Sequence, residues 1–269
     1  FRRVLFRSAE SARTKAIPSS GEALPVIGLG TSRTLDIELD AGRRVQLRAL
    51  LSSFLEKGGT LVDSSPMYGR AEQVYGELSE GLPGAERLFT ATKVWTKGSE
   101  AGKAQMRDSM KKMRVDKVDL MQVHNLVDWR TQLQTLRAWK EEGIIRYIGI
   151  TTSHQRNHEE FEQVMKTEEL DFVQFSYNID NRVAEKRLLP LAADRGIATL
   201  INRPYQRGAL FRKASDQPLP PLATELGCSS WGQFFLKFIL GHPAATCVIP
   251  ATNKHHHLLD NMGAGFGPL

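Results

Sequence analysis

The chain has 269 residues, of which 41% are hydrophobic and 25% are charged, and its formal net charge is +6. This composition excludes an intrinsically disordered chain, and the longest strongly apolar segment, residues 234–240, is too short to span a membrane. The positive charge does not predict nucleic-acid binding, because half of the excess comes from Arg2, Arg3 and Arg7 in one short segment.

That segment, FRRVLFRS, is predicted to be foreign to the protein. One nucleotide sequence that would encode this segment resembles a common short-read sequencing adapter. No initiating Met precedes the segment. Residues 1–8 are therefore interpreted as a translated adapter, residues 9–16 as an amino-terminal extension and residues 17–269 as one domain. The natural amino terminus is expected to be missing, and truncation at the carboxyl end is left open. A cytoplasmic location is the first expectation and export the alternative, since a lost leader would have carried any export signal.

Apolar runs and helix-like segments alternate along the rest of the chain. The predicted strands end near residues 30, 63, 93, 124, 150, 175, 201 and 249, and helices are predicted over residues such as 43–57, 101–114, 130–142, 159–166 and 183–195. This alternation predicts a single-domain (β/α)8 TIM barrel of the α/β class, preceded by a short β-hairpin. A doubly wound sheet is the alternative, but GLGTSR at residues 28–33 lacks the third glycine of its phosphate-binding turn.

Four polar residues lie at the ends of three consecutive predicted strands. Asp63, Lys93 and His124 end the strands, and Tyr68 follows Asp63 by five residues. The two intervals of about 30 residues match a strand, a helix and two loops, so parallel neighbours would bring all four side chains to one rim. Each residue alone is better explained as a loop or rim residue, and only the set indicates catalysis.

The segment VDSSPMYGRAEQVYG at residues 62–76 resembles the signature of the aldo-keto reductase family. Residues 109–124, 142–151 and 249–261 agree with the family in order and separation, and the resemblance runs from about residue 17 to the end. It implies a barrel that reduces small-molecule aldehydes or ketones with NADPH, with NADH as the alternative. It implies no nucleic-acid or membrane partner, and it leaves the oligomeric state open.

Carbonyl reduction gives each of the four side chains a role. Hydride addition to a carbonyl leaves an alkoxide, so Tyr68 is expected to protonate it as the general acid. Lys93 is expected to lower the pKa of the Tyr68 phenol, while Asp63 keeps Lys93 charged and oriented. His124 is expected to donate or accept a hydrogen bond at the substrate oxygen. The hydride must come from a nicotinamide, because no side chain supplies one.

The resemblance also implies cofactor and substrate contacts. The expected cofactor-binding residues are Thr31, Thr151, Thr152, Gln174, Asn202, Arg203, Thr252, Asn253, Lys254, His257 and Asn261. The expected substrate contacts are Ser32, Trp95 and Asn125. Asn202 departs from the family, because many members have a Tyr there that stacks on the nicotinamide.

Selection of the cofactor's 2′-phosphate depends on positions where the chain departs from the family. Ala251 and His257 stand where the family usually has Lys and Arg, so the phosphate is assigned to Lys254, Arg203 or His257. The long segment after residue 201 is expected to fold over the pyrophosphate with Arg203 and Arg207, and an inert connector is the alternative.

No metal site is expected. Residues 255–257 are consecutive histidines, and consecutive helical side chains diverge by about 100°, so they cannot converge on one ion. Two other functions stay open at this point. One is a non-catalytic nicotinamide-binding barrel that acts as a redox sensor or partner subunit, and the other is a hydrolase that uses Asp63 and His124 as acid and base.

Overall fold

The computed structural model describes residues 11–269, so the predicted adapter at residues 1–8 lies outside the described residues. A two-stranded antiparallel hairpin, β1 (Thr14–Ala16) and β2 (Ala23–Pro25), comes first and confirms the predicted hairpin. Lys15 fixes this hairpin to a distant part of the chain, because its Nζ lies 2.6–3.4 Å from four carbonyl oxygens between residues 240 and 245.

Within residues 11–269, eight parallel strands follow one another in chain order around a single sheet. They are β3 (Leu29–Gly30), β4 (Leu61–Asp63), β5 (Phe89–Val94), β6 (Val118–Val123), β7 (Ile145–Thr151), β8 (Phe172–Ser176), β9 (Ala198–Asn202) and β10 (Cys247–Val248). Two further parallel bridges, Ile27 with Val248 and Gly30 with Ala251, join the first strand to the last. The sheet is therefore closed, which confirms the predicted barrel and excludes the doubly wound alternative.

The closing seam explains why Gly30 ends the first strand. A Cβ atom at Gly30 would lie 2.9 Å from the carbonyl oxygen of Ile249, closer than real side chains approach a backbone oxygen. Gly28 is similarly crowded, because a Cβ atom there would lie 3.0 Å from atoms of both Leu61 and Ile249. These two glycines permit close packing of the strands, and they do not form a phosphate-binding turn.

Helices connect the strands and cover the outside of the barrel. They are α1 (Ala41–Glu56), α2 (Ala71–Ser79), α3 (Ser99–Met113), α4 (Trp129–Glu141), α5 (His158–Thr167), α6 (Leu188–Asp194), α7 (Ala209–Ala214), α8 (Pro221–Glu225), α9 (Trp231–Leu240) and α10 (His255–Gly263). Across residues 11–269, none of them is long and apolar enough to cross a bilayer.

One predicted helix, over residues 183–195, is wrong in its extent. A 3₁₀ turn covers Val183–Lys186, and α6 begins only at Leu188. Arg187 separates them with φ −141° and ψ −51°, which are not helical angles. Glu185 in the turn binds the Tyr177 hydroxyl group at 2.5 Å, a contact with β8's end that a pattern of apolar residues cannot reveal.

The side chains inside the barrel change from apolar to polar along the barrel axis. Its amino end is apolar, with one buried cluster that contains Ile17, Leu24, Leu61, Phe89, Ala91, Leu120, Tyr147, Phe172, Ala198, Leu200, Cys247 and Ile249. Side chains two positions apart on a strand face the same side, so the next inward residues on β4, β6 and β8 are Asp63, Gln122 and Gln174. The strands therefore place polar groups at their carboxyl ends, above a packed apolar layer.

Candidate active site

A cavity of about 1130 Å³ opens at the carboxyl ends of the strands. Asp63, Tyr68 and His124 line it, and Lys93 lies directly behind them with no exposed surface. Asp63 ends β4, Lys93 lies near the end of β5, and His124 follows β6 directly. The structure thus brings together the four side chains that the strand spacing predicted would meet.

Lys93 and Asp63 form a buried ion pair. The Lys93 Nζ donates hydrogen bonds to both carboxylate oxygens of Asp63 at 2.8 Å and to the Ser64 carbonyl at 2.6 Å, which uses all three of its protons. Gln122 also donates to Asp63, at 3.2 Å. Burial alone would lower the pKa of Lys93, but the neighbouring Asp63 and Tyr68 outweigh it and hold that pKa above its usual value. The ammonium group is therefore permanent and fixed in position.

Tyr68 lies beside this cation, with its ring centroid 5.2 Å from the Lys93 Nζ. Burial raises the pKa of Tyr68 more than the charge of Lys93 lowers it, and Asp63 adds to the increase. The expectation that Lys93 brings the phenol below its ordinary pKa is therefore wrong as a net effect, because desolvation of the phenolate outweighs one cation that is already paired. Tyr68 is protonated at neutral pH.

His124 lies beside Tyr68 on the cavity wall, with ring centroids 6.0 Å apart and the rings perpendicular. Burial, assisted by the charge of Lys93, lowers the pKa of His124 to about 3. The imidazole is therefore neutral at physiological pH. Its Nδ1 lies 3.0 Å from the hydroxyl oxygen of Ser65, which is also buried.

The residues predicted to contact substrate occupy different positions. Ser32 and Asn125 line the cavity, as does the exposed side chain of Met67, which no pattern in the sequence had indicated. Trp95 is 41% exposed and does not line the cavity wall, although its ring centroid lies 6.4 Å from that of His124. Trp95 therefore lies at the rim of the cavity, beside the His124 imidazole.

The cavity is also lined by three residues that were predicted to bind the cofactor. Thr151, Thr152 and Gln174 line it and are all at most 2% exposed. The Nε2 of Gln174 is buried without a hydrogen-bond partner within the described part of the chain. A buried amide donor of this kind is costly unless a ligand oxygen satisfies it, so the residues fit a carboxamide-bearing group.

Asn202 also lines the cavity, but its amide is already engaged. Its Nδ2 donates to the Thr152 carbonyl at 3.0 Å, and its Oδ1 accepts from the Ser176 hydroxyl group at 2.6 Å. These contacts connect Asn202, at the end of β9, to the ends of both β7 and β8. Asn202 therefore holds the Thr152 carbonyl in place, whereas a Tyr at this position would offer a stacking surface.

The predicted phosphate-binding residues divide into two groups. Arg203, Thr252, His257 and Asn261 line the cavity, and Thr31 lines it near Asp63. Asn253 and Lys254 are exposed and are not part of the cavity wall, and the Asn253 amide binds the Thr34 carbonyl at 3.3 Å.

Arginine side chains are concentrated on the same side of the cavity. Arg33, Arg156, Arg203 and Arg207 line it, and across residues 11–269 none of them pairs with a carboxylate. Burial lowers the pKa of Arg203, and the positive charges of Arg207 and Arg33 lower it further. This excess of positive charge is suited to a ligand with several phosphate groups.

Comparison with known proteins identifies the chain. The model of the aldo/keto reductase family matches residues 26–269. The chain belongs to the aldo-keto reductase family. Aldo-keto reductase YhdN of Bacillus subtilis is 28% identical over 178 residues, which cover 61% of this chain but only 53% of that protein. Methylglyoxal reductase YeaE of Escherichia coli is 28% identical over 252 residues, which cover 90% of this chain and 86% of that protein.

A solved structure agrees with the observed barrel. The structure of an aldo/keto reductase from Klebsiella pneumoniae in complex with NADP and acetate has a TM-score of 0.79 to this aldo-keto reductase. The two chains are 23% identical, and the alignment covers 94% of this chain and 90% of the other. At this level of identity the comparison shows a shared fold.

Several residues in the wall of this aldo-keto reductase's cavity, or buried directly behind that wall, were not predicted from the sequence. Gln122 could have been found, because it lies two residues before His124 and so faces the same side of β6. Ser65 could have been suspected from its place in the predicted motif. Arg33 and Arg156 are isolated loop residues, and no pattern in the sequence marks them.

The three consecutive histidines of α10 have separate surroundings. His255 Nε2 lies 2.8 Å from the Ser53 hydroxyl oxygen, whereas His257 lines the cavity. Among residues 11–269, no group of three or more His, Cys, Asp or Glu side chains could hold a metal ion.

Proposed function

We propose that the chain is an NADPH-dependent reductase that converts aldehydes or ketones to alcohols, with Tyr68 as the general acid. The observation that carries the proposal is the arrangement of Tyr68 and His124 on one cavity wall, backed by the Lys93–Asp63 ion pair. When bound, the nicotinamide supplies the hydride. The protein side chains supply the proton, the orientation of the substrate and the stabilisation of charge.

Tyr68 is suited to donate a proton because it is protonated at neutral pH. Transfer of that proton to the substrate oxygen leaves a negative charge on the phenol oxygen, beside the Lys93 ammonium group. Burial makes this interaction stronger than it would be in water, and the hydrogen bonds to Asp63 and Ser64 keep Lys93 from moving. Lys93 thus stabilises the product state of the proton transfer more than the starting state.

The cofactor assignment follows from the opposite wall. Gln174, Thr151 and Thr152 would hold the carboxamide of the nicotinamide, and the unsatisfied Nε2 of Gln174 supports this role. Arg203 and its neighbouring arginines would hold the phosphates, which favours NADPH over NADH because NADPH carries one more phosphate. Lys254, outside the cavity wall, is the weaker candidate for reading that extra phosphate.

The two other functions are less well supported. A hydrolase would need Asp63 free to act as acid or base, but three donor contacts from Lys93 and Gln122 already occupy its carboxylate. A non-catalytic sensor would not need all four catalytic side chains, and this chain has them. The substrate would bind in the part of the cavity that Ser32 and Met67 line, and this part can accept more than one carbonyl compound.

The purified chain should oxidise NADPH in the presence of a carbonyl compound. A panel of aldehydes, ketones and sugars, followed by the loss of NADPH absorbance, tests this. Methylglyoxal is the first member of the panel, because YeaE is named for it. Fluorescence titration of NADPH is the second measurement. A hydrolase would not bind NADPH, and a sensor would bind it without turnover with any member of the panel.

A further inference from the structure

Ser65 is fully buried, and its hydroxyl group contacts the catalytic imidazole. Its Oγ lies 3.0 Å from Nδ1 of His124. Within the described residues, the one other side-chain hydrogen bond of Ser65 is accepted from the backbone N–H of Met67, at 3.2 Å. The Ser65 hydroxyl group therefore has two hydrogen-bond partners. One is the Met67 N–H, which can only donate, and the other is Nδ1 of His124, which donates or accepts according to the tautomer.

The direction of the Ser65–His124 hydrogen bond follows from the number of protons. A hydroxyl group has a single proton, and the Met67 N–H cannot accept it. Nδ1 of His124 is the remaining atom within hydrogen-bonding distance in residues 11–269, so Ser65 donates to it. The reverse arrangement, with a proton on Nδ1, would leave the Ser65 hydroxyl proton buried without an acceptor.

The imidazole carries one proton in total, because burial and Lys93 keep His124 neutral. If Nδ1 accepts from Ser65, that proton is on Nε2. We propose that Ser65 is a positioning residue that fixes His124 as the Nε2-protonated tautomer and thereby makes it a hydrogen-bond donor to the substrate oxygen. The sequence alone left open whether His124 donates or accepts.

This assignment deepens the proposed function and rests on it. A carbonyl oxygen has two lone pairs, so it can accept from Tyr68 and from His124 at the same time. With Ser65 in place, His124 cannot present an unprotonated nitrogen to the cavity. His124 therefore orients and polarises the carbonyl group, and the transferred proton comes from Tyr68.

The tautomer can be measured directly by NMR on protein labelled with ¹⁵N in its seven histidines. The His124 signals are identified as those absent from the spectrum of His124→Gln. We expect long-range ¹H–¹⁵N correlations to show a protonated Nε2 and an unprotonated Nδ1 that accepts a hydrogen bond. A protonated Nδ1 in the wild-type protein would overturn the proposal.

Ser65→Ala tests whether Ser65 causes this state. Without the Ser65 donor the Nδ1-protonated tautomer should become populated, so the Nδ1 and Nε2 resonances should move toward each other. Ser64→Ala is the matched control, because it removes the adjacent buried hydroxyl group, which contacts Thr31 at 2.9 Å and not His124. The His124 resonances should not move in the control, and an unchanged Nδ1 resonance in Ser65→Ala would overturn the role of Ser65.

Kinetics provide the functional test. Ser65→Ala should lower kcat by about 3- to 10-fold, as expected for loss of one neutral hydrogen bond, while the Kd for NADPH stays within about 2-fold. Ser65→Thr keeps a hydroxyl group and should recover most of that loss. An unchanged kcat in Ser65→Ala would contradict a positioning role. If wild-type protein reduces no carbonyl compound, the proposed function fails, whereas the NMR result still decides the tautomer independently.

Discussion

The two walls of the cavity differ in how completely their charged groups are paired. On the proposed catalytic wall, formed by the ends of β4 to β6, Lys93 uses all of its donors on Asp63 and Ser64. On the proposed cofactor wall, formed by the ends of β7 to β9, by the loop after β3 and by α10, the Gln174 amide donor has no partner and the cavity arginines pair with no carboxylate in residues 11–269. The charged groups of the first wall are therefore already paired within the protein, whereas those of the second wall are available to pair with a ligand.

This difference follows from what each wall has to do. Catalytic groups gain most when they are held in place before the reaction, because reorganisation during the reaction would add to the barrier. A surface that binds an anionic ligand has a higher affinity for it when its positive charges are not already paired with carboxylates. Substitutions on the catalytic wall should therefore change the chemistry and the stability, whereas substitutions on the cofactor wall should change affinity alone.

The largest effect is expected on the catalytic wall, from Tyr68→Phe. Loss of the proton donor should lower kcat by at least ~10²-fold, the usual value of general acid catalysis. Affinity for NADPH, measured by fluorescence titration, should be unchanged, because the phenol hydroxyl group serves the substrate. Undiminished turnover would remove Tyr68 from the mechanism and would leave the catalytic wall without its acid.

Lys93→Met should affect both activity and stability. It leaves the Asp63 carboxylate buried without its cation, which typically destabilises a protein by about 3–5 kcal/mol. Urea denaturation measures the loss of free energy of unfolding, and NADPH oxidation measures the loss of rate. The matched control is Lys93→Met combined with Asp63→Leu, which removes both charges and should recover part of the stability but no activity. Near-native rates in Lys93→Met would contradict the paired arrangement.

On the cofactor wall, Arg203→Ala should weaken NADPH binding while stability stays nearly constant. A charge-assisted contact to a phosphate contributes roughly 1.5–3 kcal/mol, so the Kd should rise by about 10- to 150-fold. Lys254→Ala is the control from outside the cavity wall and should have a smaller effect. Parallel titrations with NADH tell which phosphate Arg203 contacts. A larger loss in Lys254→Ala than in Arg203→Ala would reverse this assignment.

The smallest effect concerns how the stability of the protein depends on pH, through His124 on the proposed catalytic wall. The pKa of His124 falls from 6.5 to about 3 on folding, so between these values the unfolded chain binds a proton that the folded chain does not. Stability contributed by the neutral His124 is therefore present above pH 6.5 and is lost as the pH falls toward 3. The Tm of the wild type should fall more between about pH 7 and about pH 5 than the Tm of His124→Gln. Parallel curves would contradict the shift.

The sequence was sufficient to predict the barrel and the meeting of the four polar side chains at one end of it. Strand ends could be read from apolar runs, and the closed parallel order then placed Asp63, Lys93 and His124 side by side. The net pKa shift of Tyr68 could not be predicted, because it depends on how far burial outweighs one nearby charge. Arg156 was missed for a different reason, since a loop residue has no periodicity and its direction is set by the turn that carries it.

The hydrogen bond between Ser65 and His124 could not be predicted from the sequence. The two residues are 59 positions apart, and their proximity depends on the path of the turn after β4. Motif matching drew attention to this segment and to Tyr68 within it, but it gave no direction for the Ser65 hydroxyl group. Hydrogen-bond partners of buried polar groups need coordinates, even where the fold is known.

The attachment of the amino-terminal hairpin has a consequence for the order of folding. Lys15 binds carbonyl groups that follow it by 225 to 230 residues, so this contact closes a loop that contains almost the whole barrel. Closure of so long a loop has a large entropic cost before any local contact compensates for it. We therefore expect the hairpin to dock late in folding, after α9 and the approach to β10 have formed, so that its contacts slow unfolding more than they speed folding.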